Sequence, residues 1–178
     1  MSGVLILDFG SQYTQLIARR LRELEIFAEI LPYSAKLDEI RKREPSGIIL
    51  SGGPDSVHRK GSPRPAEGLF EMGLPILCIC YGMQLLVALH GGRVVPAKKR
   101  EYGHAELDLV EESPLFAGLS GKPQVWMSHG DGAEQLHNGF KVLARTGSAP
   151  FAAIADPAKN WYGVQFHPEV HHTPQGAR

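Results

Sequence analysis

The stretch that most constrains this chain is residues 74–86, Leu-Pro-Ile-Leu-Cys-Ile-Cys-Tyr-Gly-Met-Gln-Leu-Leu. Its first half is short, apolar and led by Pro75, which predicts a buried strand. Its second half carries apolar residues at helical spacing, which predicts a helix with one buried face. Gly82, near the junction, permits a sharp turn. Cys80 is therefore predicted to lie at the end of a strand, where a helix begins.

That position would change the chemistry of the Cys80 thiol. Backbone N–H groups in the first turn of a helix have no intrahelical partner and carry partial positive charge. They lower the pKa of a thiol placed there and favour the nucleophilic thiolate. The pattern resembles the strand–nucleophile–helix elbow of hydrolases, with Cys-x-Cys-x-Gly in place of Gly-x-Ser-x-Gly. Alternatively, Cys80 is a small buried core residue, as most free cysteines are, and this stretch alone does not decide between the two.

Length, charge and cysteine content narrow the class of protein. The 178 residues fit one domain of ordinary size. Nineteen basic and nineteen acidic residues balance, so a surface for nucleic acid or anionic membranes is not indicated. Two cysteines in one Cys-x-Cys do not make a disulfide framework, which favours a reducing compartment. The apolar run 4–7 is too short for a membrane span and lacks the flanks of a signal peptide, so we expect a cytoplasmic protein.

Strand and helix patterns alternate through the first half of the chain. Apolar runs at 4–7, 26–31 and 47–50 predict strands before the Cys80 strand, with helices between them at 12–24, 34–43 and 66–72. Ser34 is the predicted N-cap of the second helix. This alternation predicts an α/β fold with an open, mostly parallel sheet and helices on both faces. Short strands predicted at 105–110, 125–127, 141–144, 151–155 and 162–166 would form a small antiparallel extension or side sheet.

The predicted topology brings distant turns together. Right-handed crossovers place the carboxyl ends of parallel strands on one edge of the sheet, where ligands bind in such folds. The turns at 8–10 and 51–53 and the thiol of Cys80 all fall at that edge. The sequence therefore predicts one crevice that contains Cys80.

A thiolate nucleophile needs a base, and the base needs a group that orients it. Of the eight histidines, His167 follows an apolar strand and precedes Pro168-Glu169. Pro168 favours extended backbone at His167, and residues two apart in extended backbone project to the same side. Glu169 can therefore reach the imidazole, fix its tautomer and stabilise its charged form. A lone histidine at a strand end would be read as structural, but His-Pro-Glu beside an elbow cysteine favours a catalytic role.

The oxyanion of such a reaction needs N–H donors. The backbone N–H of Tyr81, at the predicted helix start, is one candidate. The N–H of Gly53 is the other, because a glycine lets the backbone approach a reacting carbonyl closely. Taken alone, the loop 51–54, Ser-Gly-Gly-Pro, is more typical of a simple turn.

Six motifs together resemble a known family. Residues 80–84, 163–169 and 51–54 resemble the class I, or triad, glutamine amidotransferases. Residues 8–15, 100–103 and 126–131 resemble the glutaminase domains of the GMP synthase branch of that class. The resemblance runs over nearly the whole chain and implies a flavodoxin-like α/β fold.

The resemblance also implies roles for individual residues. Cys80 would attack the side-chain amide of glutamine, His167 would protonate the leaving ammonia and then activate water, and Glu169 would orient His167. The backbone N–H groups of Gly53 and Tyr81 would form the oxyanion hole. The residues implied to hold glutamine, through side chain or backbone, are Gln84, Ser128, Gly130 and Asp131.

By the same resemblance, we expect residues 1–178 to form a single amidotransferase domain that lacks its C-terminal helix and a separate ATP-pyrophosphatase domain. That partner domain would use ATP and magnesium and would consume the ammonia to convert XMP into GMP. The sequence has no Walker or Gly-x-Gly-x-x-Gly loop and no metal-ligand set of suitable spacing. We therefore expect no cofactor and no metal in this domain.

Cys78 departs from the family pattern, in which glycine usually stands two residues before the nucleophile. If Cys78 lies in mid-strand, we expect its side chain to point into the core. Two other functions stay open: the glutaminase of another amidotransferase, such as those of anthranilate or carbamoyl phosphate synthesis, and a non-catalytic module that senses glutamine or binds a partner.

Overall fold

The computed structural model describes residues 3–178, apart from the side chain of Lys99, so Met1 and Ser2 of the predicted domain lie outside the described residues. The helices in this part of the chain are α1 Thr14–Glu23, α2 Leu37–Arg41 and α3 Tyr81–Leu89, with 3-10 turns at Phe70–Met72 and Pro114–Phe116. The strands are β1 Val4–Asp8, β2 Ala28–Pro32, β3 Gly47–Leu50, β4 Ile76–Ile79, β5 Arg93–Glu106, β6 Asp108–Leu109, β7 Gln124–Gln135, β8 Lys141–Arg145, β9 Ala153–Asp156 and β10 Trp161–Val164. None of the described helices is long and apolar enough to cross a membrane.

Eight of these strands form one mixed sheet in the order β2-β1-β3-β4-β10-β9-β8-β6. The first five in that order pair in parallel, whereas β10-β9, β9-β8 and β8-β6 pair antiparallel. The parallel part has the flavodoxin-like strand order. Strands β5 and β7 form a separate antiparallel pair. The predicted open parallel sheet with an antiparallel extension is confirmed, and the extension has two parts.

Helices cover both faces of the sheet, as predicted. On one face, alternate strand residues such as Leu5 and Leu7 pack in a core with Ile40 of α2 and Leu86 of α3. On the other face, Ile6 belongs to a second core that includes residues of α1 and β7, among them Ile17, Ala18, Val125 and Met127. Because successive side chains of a strand point to opposite faces, an almost fully apolar strand such as β1 serves both cores.

Some local predictions were wrong. Ser34 does not cap α2, because the chain turns at 32–35 and the helix begins two residues after the turn, with Lys36 at its N-cap. The predicted helix 66–72 is only a short 3-10 turn, because Gly68 and Gly73 both adopt positive φ, which interrupts a helix. The strands β5 and β7 are longer than predicted, because a register shift between Pro96 and Glu101 and several glycines mask their alternating pattern.

Helix α3 lies unusually close to β3, and Gly82 makes this possible. A Cβ at Gly82 would lie 2.7 Å from the carbonyl oxygen of Leu50 and 2.9 Å from its Cβ. Only a residue without a side chain lets the first turn of α3 pack there. This close packing fixes where α3 begins, and so where Cys80 is held.

We expect Gly82→Ala to lower the free energy of unfolding by about 1–3 kcal/mol, because backbone atoms cannot yield to the added methyl group. The loss should outweigh the higher helix propensity of alanine. Urea denaturation measures the change. Gly147→Ala is the matched control, since a Cβ there meets nothing within 4 Å, and equal unfolding midpoints for the two variants would contradict the account.

Candidate active site

Cys80 occupies a strained turn between β4 and α3. Its φ of 51° and ψ of −107° are rare for a residue with a side chain. Two backbone hydrogen bonds hold this conformation: the N–H of Cys80 donates to the carbonyl of Val164 (2.8 Å), and the N–H of Gln84 donates to the carbonyl of Cys80 (3.1 Å). The predicted strand–cysteine–helix elbow is therefore present, with Cys80 at the N-cap of α3.

His167 and Glu169 form a buried pair just beyond the end of β10. The imidazole Nδ1–H donates to Oε1 of Glu169 at 2.8 Å, and the two residues are only 4% and 2% exposed. The backbone of His167 is fixed on both sides, since its N–H donates to the carbonyl of Trp126 and its carbonyl accepts from the Thr173 hydroxyl. The predicted contact between His167 and Glu169 is present, although the backbone bends at Pro168 and Glu169 instead of remaining extended as predicted.

Gly52 lies beside both Cys80 and His167, at the edge where β3 and β4 end. A Cβ at Gly52 would lie 3.1 Å from Cε1 of His167 and 3.4 Å from Cβ of Cys80. The imidazole, whose Nδ1–H donates to Glu169, therefore lies beside the Cys80 side chain. Because Nδ1 is taken by Glu169, the nitrogen left for the sulfur is Nε2. The structure brings the three predicted residues together in the order carboxylate, imidazole, thiol.

The groups beside the two ring nitrogens of His167 determine the pKa of its imidazole. Burial disfavours the charged form, but hydrogen bonds to Cys80 and Glu169, together with their negative charges, outweigh it and raise the pKa of His167 from 6.5 to about 10. Cys78 differs, because its side chain is fully buried in the core and burial raises the pKa of its thiol far above the usual range. Of the two cysteines, Cys80 lies beside the imidazole of His167, whereas Cys78 packs among apolar core residues.

The two predicted oxyanion donors lie at the lining of the cleft and at the start of α3. Gly53 lines the cleft that contains Cys80, and Tyr81 is the first residue of α3. Within residues 3–178, no hydrogen bond uses the backbone N–H of either residue. The ring of Tyr81 points away into the core, where its hydroxyl donates to the carbonyl of Pro63. Both N–H groups therefore remain available to an oxyanion.

A cleft of about 620 Å³ opens above Cys80. Its lining includes all four residues predicted to hold glutamine, which are Gln84, Ser128, Gly130 and Asp131. The amide Nε2 of Gln84 donates to the carbonyl of Asp131 at 2.9 Å, which ties α3 to β7 across the floor of the cleft. The volume and the mixture of charged and amide groups suit a small zwitterion.

A second buried histidine–carboxylate pair supports the cleft wall and was missed in the sequence. His129 Nε2 lies 2.7 Å from Oε2 of Glu101, and its Nδ1 lies 2.8 Å from the carbonyl of Asp131. The imidazole thus lies between a carboxylate and a backbone carbonyl. The pair joins β5 to β7, where Glu101 and His129 face each other in the register. Glu101 and His129 belong to separate motifs of the sequence. Their contact is visible only once β5 and β7 are known to pair.

Gln165 and Tyr13 also contact the triad and were missed. Nε2 of Gln165 lies 3.6 Å from Sγ of Cys80, and the ring of Tyr13 meets the imidazole of His167 edge-on, with centroids 5.2 Å apart. A partial signal for Gln165 was available, because it lies in the same 163–169 motif as His167 and Glu169. In the described part of the chain, no group of three or more His, Cys, Asp or Glu residues is arranged to hold a metal ion.

The fold and the site together define a class of protein: an α/β domain with a thiol at a nucleophile elbow and a Cys–His–Glu arrangement at the carboxyl edge of its sheet. Comparison with known proteins agrees with this class. Residues 5–178 match the family model described as glutamine amidotransferase class-I. The chain belongs to that family, and the resemblance predicted from its motifs is confirmed.

Within the family, the chain is similar to glutamine-hydrolyzing GMP synthases. That of Heliobacterium modesticaldum is 53% identical over 173 residues, which cover 97% of this chain and 34% of the relative. That of Brucella melitensis biotype 1 is 50% identical over 178 residues, which cover 98% of this chain and 35% of the relative. The chain thus spans about a third of the length of the curated relatives it matches.

Comparison with solved structures agrees with these sequence matches. A candidate GMP synthase subunit from Thermoplasma acidophilum superposes with a TM-score of 0.88 at 30% identity, covering 99% of this chain and 89% of that one. A glutamine amidotransferase from Thermotoga maritima superposes with a TM-score of 0.73 at 21% identity, covering 95% of this chain and 76% of that one. The second match supports the flavodoxin-like fold only.

The raised pKa of His167 predicts a pH-dependent contribution to stability. A group whose pKa is higher in the folded state stabilises the fold fully below its ordinary value of 6.5, and this contribution is lost as the pH rises through about 10. Glu169→Gln keeps the shape of the partner but removes its charge. We expect the variant to be less stable than the parent near about pH 6 and nearly equal to it above about pH 10.

Urea denaturation at the two pH values measures this difference. Glu23→Gln is the control, because Glu23 pairs with Arg19 and Arg20 on the exposed surface, where such pairs contribute little at any pH. A loss of stability in Glu169→Gln that is the same at both pH values would contradict the assigned ion pair.

Proposed function

We propose that this chain is the glutaminase domain of a glutamine-hydrolysing GMP synthase. It hydrolyses L-glutamine to glutamate and ammonia through Cys80, His167 and Glu169. The observation that carries the proposal is the imidazole of His167, buried between the Glu169 carboxylate and a thiol at the N-terminus of α3. The similarity to glutamine-hydrolyzing GMP synthases at about half of all positions supports the particular branch of the family.

The reaction proceeds in two halves. In the first, the imidazole of His167 carries the proton, and the sulfur of Cys80 attacks the carboxamide carbon of glutamine as the thiolate. His167 then gives the proton to the amide nitrogen, the C–N bond breaks, and ammonia leaves a γ-glutamyl thioester. In the second half, His167 takes a proton from water, which attacks the thioester. The C–S bond breaks, glutamate is released, and sulfur leaves as the thiolate beside the protonated His167.

Neighbouring groups stabilise the charges that develop on the imidazole, the oxyanion and the sulfur during the reaction. The Glu169 carboxylate stabilises the imidazolium at the start of the cycle and when it re-forms at the water step. The N–H groups of Gly53 and Tyr81 donate to the oxyanion of each tetrahedral intermediate, and those of the first turn of α3 favour the thiolate. Gln84, Ser128, Gly130 and Asp131 hold glutamine in the cleft, with Asp131 suited to its ammonium group.

The ammonia would be used by a partner ATP-pyrophosphatase domain, which aminates XMP to GMP. ATP and magnesium would bind to that partner domain. The greater length of the relatives supports such a partner, because about two thirds of each relative lies outside the match.

Measuring glutamate release tests the proposal, first with the chain alone and then with a GMP synthase ATP-pyrophosphatase domain, ATP and XMP. We expect glutamate release to rise when all components are present, with GMP formed in equal amount. Absence of glutamate under both conditions would overturn the glutaminase assignment. Glutamate release that no synthetase component increases would point to another branch of the family.

Substitution of the two cysteines tests the nucleophile directly. We expect Cys80→Ser to abolish glutamate release, because a serine hydroxyl is a far weaker nucleophile at neutral pH. Cys78→Ala is the matched control and should keep most of the activity, because Cys78 packs in the core away from the cleft. An inactive but folded Cys78→Ala variant beside an active Cys80→Ser variant would show that the assignment is wrong.

A further inference from the structure

The sulfur of Cys80 has three polar neighbours, and the triad explains only one of them. Besides His167, the carbonyl oxygen of Ser128 and the amide Nε2 of Gln165 each lie 3.6 Å from Sγ. A carbonyl can only accept a hydrogen bond, and an amide nitrogen can only donate one. The two neighbours therefore suit different forms of the sulfur: a thiol can donate to Ser128, whereas a thiolate can accept from Gln165.

Gln165 is built rigidly into this position. It is 1% exposed, and its backbone N–H donates to the carbonyl of Ala152 at 2.9 Å, which holds it beside the start of β9. Gln165 immediately follows β10 and precedes His167 by two residues, in the bend that leaves this strand. A single short stretch thus delivers the imidazole and the amide to the same sulfur.

The other end of the Gln165 amide is unsatisfied. Its Oε1 is buried and has no hydrogen-bond partner among the described residues. Buried polar atoms in folded proteins almost always have partners, so an orphan of this kind calls for an explanation. The explanation is that the amide is placed for its donor end, which faces the sulfur.

We propose that Gln165 is a catalytic residue that donates a hydrogen bond from Nε2 to the thiolate of Cys80. A hydrogen bond to a charged acceptor in a buried site is stronger than one between neutral groups. The donor stabilises the thiolate before it attacks glutamine, and again when the thioester C–S bond breaks and sulfur leaves with the electron pair. This inference rests on the proposed function, in which Cys80 is the nucleophile.

Alkylation of Cys80 by iodoacetamide, followed across pH, reads the thiolate without any need for glutamine. The experiment uses the Cys78→Ala background, so that Cys80 is the only thiol in the chain. Gln165→Met keeps the length of the side chain and removes the donor. We expect the midpoint of its alkylation profile to move up by about one pH unit, and kcat for glutamate release to fall about tenfold to a hundredfold with little change in KM.

Gln165→Leu serves as a second variant with the same loss of the donor, and thermal unfolding identifies a variant that fails to fold. The control is Gln135→Leu on the exposed end of β7, which should leave the profile and the kinetics unchanged. An alkylation midpoint equal to that of the parent, in a folded Gln165 variant, overturns the inference.

The experiments distinguish failure of the proposed glutaminase function from failure of the proposed Gln165 hydrogen bond. If the parent does not release glutamate but the Gln165 variants still shift the alkylation midpoint, the proposed function fails and the hydrogen bond to the thiolate stands.

Discussion

The structure depends on holding one cysteine in a backbone conformation that it would not adopt alone. The positive φ of Cys80 is maintained because its N–H bonds to the end of β10 and its carbonyl bonds to the first turn of α3. The close packing of Gly82 against Leu50 fixes the start of that helix. Strain at this point is maintained by parallel strands and a buried helix on either side, which is the usual setting for strained catalytic residues.

The order of the strands determines what surrounds the thiol. Because β3, β4 and β10 are parallel neighbours, their carboxyl ends lie side by side and deliver Gly52, Cys80 and His167 to one point. The antiparallel pair β5-β7 then closes the cleft from above, and the buried contact of Glu101 with His129 joins its strands. The parallel sheet thus supplies the reacting groups, while the antiparallel pair β5-β7 supplies walls of the cleft.

The sequence predicted the parts of this arrangement that local patterns encode. Apolar runs and a turn glycine located β4, α3 and Cys80, and the two-residue spacing of extended backbone joined His167 to Glu169. It did not predict the length of β5 and β7, where bulges and glycines hide the alternation. Contacts such as that between Gln165 and Cys80 link residues 85 positions apart, and they exist only because β10 inserts beside β4 in the sheet.

The most direct test of this mechanism is to find the covalent intermediate. The enzyme, with its partner domain if needed, is mixed with glutamine, quenched in acid during turnover and digested for mass spectrometry. We predict a γ-glutamyl group on the peptide that contains Cys80, attached to that sulfur and removable by hydroxylamine. A γ-glutamyl group on Cys78, or continued glutamate release with no adduct on either thiol in rapidly quenched samples, would contradict the mechanism.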